Sequence, residues 1–74
     1  MRAYVYILRS VEFPDVYYSG ATHNLRERLR RHNTKQVPHT SRHAPWKIKT
    51  YVGFSDEKQA FEFEKYLKSA SGRA

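Results

Sequence analysis

The fifteen residues Tyr18–His32, YSGATHNLRERLRRH, decide how this chain folds. A short aromatic strand ends at Tyr18, a glycine follows at Gly20, and a helix opens at Asn24. Asn24 with Glu27 three residues later matches a capping box, so a helix is predicted from there to about Asn33. Wrapped at 100° per residue, Leu25 and Leu29 form its apolar stripe. Arg28 falls about 60° to one side of Leu25, and His32 about 20° away. Two phosphate-compatible groups therefore sit on or beside the face that should be buried. A solvated surface does not need that placement; an anion site does.

Upstream, Tyr4–Arg9 alternates and is rich in aromatic and β-branched residues. It reads as a strand with Tyr4, Tyr6 and Leu8 on one face and Val5 and Ile7 on the other. Phe13-Pro14-Asp15 is turn chemistry, and Val16–Ser19 is a second strand, which makes a hairpin. Downstream, residues 34 to 45 carry Pro38 and Pro45 among polar residues and read as a loop. Trp46–Phe54 alternates again, with Trp46, Ile48, Thr50, Val52 and Phe54 set against Lys47, Lys49 and Tyr51. Ser55 or Asp56 caps a last helix, and Ser71-Gly72 is its expected stop. The order β-β-α-β-α predicts an α+β domain, a three-stranded antiparallel-type sheet flanked by helices.

With 74 residues, the chain is expected to be a single domain over 1–74 with a small core. It has no cysteine, which excludes disulfide staples and thiolate zinc sites and fits a reducing compartment. The apolar start is too short for a signal segment, and no stretch can span a membrane, so a cytoplasmic location is expected. The net charge of +7 is concentrated. Residues 22–49 hold eight Lys/Arg against one acid, Glu27, while the rest of the chain carries six of each sign. A basic stretch interleaved with aromatics points to a polyanion, most simply nucleic acid. A solubilising surface is the competing reading of charge alone. His39 and His43 are four apart but have no third ligand near them, which argues against zinc. Trp46, in a strand, reads as core rather than as a base-stacking platform.

The last helix repeats the anomaly of the first. Ala60, Phe63, Leu67 and Ala70 form its apolar stripe, and Glu64 falls within it. A carboxylate there must be paired, protonated, at the stripe's edge or holding a metal. The plain alternative is an edge glutamate paired to an arginine such as Arg28.

Together these residues resemble the GIY-YIG nuclease family. Tyr4-Val5-Tyr6 stands where GIY is expected and Tyr18-Ser19-Gly20 where YIG is expected. Asn24-Leu25, Arg28-Leu29 and His32 follow in the family's helical pattern, and Glu64 in FEFEKYLKS completes it. The likeness covers nearly the whole chain and is closest to small stand-alone bacterial members. Those share phrases such as VYILRS, HNLxxRLxxH, PHTSxxxPW and EKYLKSxSGRA, and continue beyond SGRA, so a closing C-terminal segment past Ala74 is expected to be lacking. Tyr4 and Ser19 depart from the motif letters, and Ala21 stands where some relatives carry lysine.

The resemblance implies a metal-dependent endonuclease hydrolysing phosphodiester bonds in DNA, structure-selective or weakly sequence-specific, with DNA repair as a setting. Glu64 would hold one Mg²⁺ or Mn²⁺, Arg28 the phosphate, and Tyr6 or Tyr18 would serve as general base. A phenol of pKa near ~10 needs help at neutral pH, and Arg28 and the metal are expected to lower it. His32 would relay a proton or hydrogen-bond a phenol or phosphate. Gly20 would let the backbone approach closely, or simply turn the chain. Arg26, Arg30, Arg31, Arg42, Lys47 and Lys49 are expected to line the nucleic-acid path or to be solvated. The alternative is a non-catalytic nucleic-acid-binding module of the same fold, which would need the basic stretch but not Glu64.

Overall fold

The computed structural model describes residues 2–69. The elements run β1 (Ala3–Ser10), β2 (Tyr17–Thr22), α1 (Leu25–Asn33), α2 (Pro38–Ser41), β3 (Trp46–Phe54) and α3 (Glu57–Lys68). The sheet order is β2-β1-β3 with both pairings antiparallel. Strand β1 takes the centre because both its faces are apolar. Ala3 and Val5 are buried on one side, Tyr6 and Leu8 on the other. Each face then needs a helix. Ala60, Phe63 and Leu67 of α3 pack on Ala3 and Val5, while Leu25 and Leu29 of α1 join Tyr6, Leu8 and Trp46. The stripe position Ala70 and the Ser71-Gly72 stop lie outside the described residues.

Both long helices start where their caps place them. The Asn24 side chain accepts from the Glu27 amide and that of Asp56 from the Lys58 amide, each satisfying a donor the helix leaves open. Strand β2 differs from expectation. It runs on through Gly20 to Thr22, so Gly20 lies inside a strand rather than at a turn, and its φ is not positive. The segment 34–45, expected as a loop, contains the short helix α2 with Pro38 in its first turn. Its register is held from outside: the Trp46 indole N–H donates to Thr40 O at 2.9 Å. The Asn33 side chain both donates to Trp46 O, at 3.0 Å, and accepts from Trp46 N.

The faces of β3 are also not those of simple alternation. Ile7 pairs with Thr50 but Leu8 pairs with Ile48, which leaves Lys49 as the extra residue of a bulge. Before the bulge, Trp46 and Ile48 face α1; after it, Thr50, Val52 and Phe54 share the α3 face with Lys47. One strand thereby supplies Trp46 to one core and Phe54 to the other, which strict period-2 alternation forbids at this spacing.

Candidate active site

The α1 face gathers most of the residues that sequence reading singles out. Tyr6, on the central strand, is 2% exposed, and its hydroxyl lies 3.1 Å from His32 Nε2. His32, in the last turn of α1, is 1% exposed, and its Nδ1 lies 2.7 Å from Thr40 Oγ1. Thr40 Oγ1 in turn donates to Val37 O at 3.3 Å, so it accepts from Nδ1–H. Nε2 then carries the lone pair and accepts from the Tyr6 hydroxyl. Burial, with the positive charge of Arg28 second, holds the His32 imidazole below its usual pKa, consistent with a neutral ring. The half-buried Tyr18 completes the group, its ring centroid 5.3 Å from that of His32.

Gly20 explains how Tyr6 fits. The two are cross-strand partners. A Cβ at Gly20 would lie 2.5 Å from the Tyr6 hydroxyl oxygen and 2.8 Å from Cζ. The glycine is needed because the phenol lies against its backbone, not because the chain turns there.

Arg28 is half-buried beside this pair, with its charge felt by both Tyr6 and His32. The expectation that Arg28 would bring the phenol pKa down is only partly met. Burial raises the Tyr6 pKa and outweighs the lowering by Arg28, and Tyr18 and Glu64 add to the rise. Glu64 on α3 is thus close enough to act on Tyr6. Its ion pair is not with Arg28, the plain alternative above, but with Lys68 at 3.3 Å. The Glu64 side chain keeps 20% of its surface exposed. Lys68 Nζ also stands 4.7 Å from the Tyr18 ring centroid.

The residues that sequence reading missed are Lys68, Thr40 and Asn33. Lys68 was visible in outline, four positions after Glu64 on the same helix face. Thr40 and Asn33 had no local signal, because their partners lie 8 and 13 residues away. The other basic residues divide. Arg26, Arg30 and Arg31 are exposed on α1, but Arg30 is engaged by Glu27 at 2.7 Å. Arg42 is exposed after α2, and Lys47 and Lys49 are exposed on the sheet face opposite α1. Trp46 is core, at 4% exposure. Among the described residues no three His, Cys, Asp or Glu side chains converge as a metal cage. The donor set fits a hard divalent ion that takes one carboxylate and keeps its waters, as magnesium does.

Two short tyrosine motifs on adjacent strands, an Arg–His pair one turn apart and a glutamate from the helix across the sheet place this chain in the GIY-YIG family. A family model described as the GIY-YIG catalytic domain matches residues 2–74. The chain belongs to that family of nucleases. It is 38% identical over 65 residues to the structure-specific endonuclease subunit SLX1 homolog of Giardia intestinalis, covering 82% of this chain. The match spans 18% of the length of that relative.

Proposed function

We propose that this chain is a divalent-metal-dependent endonuclease that hydrolyses phosphodiester bonds in DNA, choosing substrates by structure more than by sequence. The observation that carries the reading is the convergence of Tyr6, Tyr18, Arg28 and His32 with a part-exposed Glu64 carboxylate contributed by α3. The relative's name, a structure-specific endonuclease subunit, supports the substrate class.

Burial divides the work between the two tyrosines. Tyr6 is almost wholly enclosed, and its O–H is committed to His32. Tyr18 is part-exposed, so it is the phenol that can meet an attacking water. In the proposed reaction the phenolate form of Tyr18 takes the water's proton as the water oxygen bonds to phosphorus; the P–O3′ bond breaks with its electron pair passing to O3′, which then takes a proton from solvent. Arg28, beside the Tyr6–His32–Thr40 chain, holds the scissile phosphate with its fork of donors. Glu64 would hold the Mg²⁺ or Mn²⁺ ion, which supplies Lewis-acid stabilisation of the phosphate and leaving oxygen when bound.

The test is to incubate the protein with flap, junction and blunt duplex DNA plus Mg²⁺ or Mn²⁺, beside Glu64→Gln and Arg28→Ala. Cleavage of branched over blunt DNA, lost in both variants, is expected. If the wild type nicks nothing, or Glu64→Gln nicks as well as the wild type, the proposal fails. Salt-sensitive binding without cleavage would make the chain a binding module instead.

A further inference from the structure

The three strands contain no acid, and their three cations, Arg9, Lys47 and Lys49, lie together on one face at one end of the sheet. Arg9 is the cross-strand partner of both Tyr17 and Lys47. The bulge leaves Lys49 on the same side, with its Nζ 6.0 Å from the Tyr17 ring centroid. Arg9 is held by a bond from its Nε to Pro14 O at 2.9 Å. Tyr17 is 49% exposed, a large aromatic surface that no core accounts for. This is the face opposite α1, so the patch stands apart from the group around His32.

We propose that the Arg9–Tyr17–Lys47–Lys49 face binds an unpaired nucleic-acid strand, with Tyr17 as a stacking platform for one base. The charges favour a phosphate backbone over any neutral or cationic partner. An exposed ring on a basic face, with an ammonium group beside it, is the arrangement that holds single strands, since an unpaired base offers its π-face and a paired one does not. Tyr17 and Tyr18 are consecutive on the edge strand β2, so their side chains leave on opposite faces. A strand lying on Tyr17 can pass round that edge to Tyr18. The inference deepens the nuclease reading and rests on it for the identity of the polymer: the preferred substrate carries a single-stranded arm.

The test is fluorescence anisotropy in EDTA, with a fluorescein-labelled oligothymidylate and a blunt duplex of equal length as probes. Tyr17→Ala should weaken oligothymidylate binding about 5- to 150-fold and leave duplex binding within about two-fold. Tyr17→Phe, which keeps the ring, should bind as the wild type does. Lys47→Gln/Lys49→Gln should reduce the salt slope for the single strand by about 1.4. Tyr17→Ala binding normally, losing both probes equally, or behaving no differently from Tyr17→Phe would overturn the platform. Adding flap DNA with Mg²⁺ separates the two readings. Flap cleavage with an unaffected Tyr17→Ala sinks the platform alone, whereas selective single-strand binding without any cleavage sinks the nuclease reading alone.

Discussion

Replacing Gly20 by alanine tests the placement of Tyr6 with the smallest possible perturbation, one methyl group. That methyl would stand 2.5 Å from the Tyr6 hydroxyl oxygen, inside the 3.0 Å that real Cβ atoms essentially never breach. The phenol must move by at least about half an ångström, and it is 2% exposed with the Gly20 strand on one side and α1 above. Overpacking of a well-filled core costs about 1–3 kcal/mol. The shift also stretches the 3.1 Å bond to His32, and leaving that buried pair unmade adds about 1–3 kcal/mol. A loss of roughly 2–6 kcal/mol follows, and a domain of this size loses about 4–8 °C in Tm per kcal/mol. Thermal and urea unfolding of Gly20→Ala, Tyr6→Phe and the double variant form the assay. Once the methyl has broken the bond, deleting the hydroxyl should cost little more, so the two losses should fall short of additive by about 1 kcal/mol or more. Gly20→Ala within about 0.5 kcal/mol of wild type, the range of an inconsequential surface substitution, or strictly additive losses, would refute the reasoning.

Three further outcomes are expected. The folded protein holds His32 below its usual pKa by burial and by Arg28. The unfolded chain therefore takes up the proton first as pH falls, and the stability due to His32 is complete above about pH 6.5 and lost below it. Melting curves between pH 7 and 5 should show that decline, and His32→Gln should flatten it; equal slopes would count against the neutral ring. Asn33→Ala removes the two-bond clamp on Trp46 and should cost about 2 kcal/mol, with a change in tryptophan near-UV dichroism. Lys68→Met frees Glu64 from an ion pair worth no more than about 0.5 kcal/mol. Stability should barely change, while Mn²⁺ binding, followed by paramagnetic broadening near Glu64, should tighten about two-fold or more.

The sequence by itself determined the elements whose signals are local. Alternation over Tyr4–Arg9, the Asn24 cap, a cap at Ser55 or Asp56 and the four-residue spacing of Leu25 and Leu29 need only neighbouring residues to be read. The same spacing showed His32 and Glu64 out of place on apolar stripes, and the tyrosine motifs brought the GIY-YIG likeness with them. Tertiary structure decided what those residues meet. Gly20 sits in a strand because a tyrosine fourteen positions earlier needs its space, and Lys49 is extruded because β3 must feed two cores. Lys68, not Arg28, pairs with Glu64, and Thr40 fixes the His32 ring from a segment that looked like plain loop. Burial, which no local pattern measures, raised the pKa of Tyr6 against the pull of Arg28. The stretch Tyr18–His32 therefore specified a strand, a capped helix and two inward polar groups. Only the packing of β1 and α3 around it brought them into one group, because contacts between distant segments carry no period along the chain.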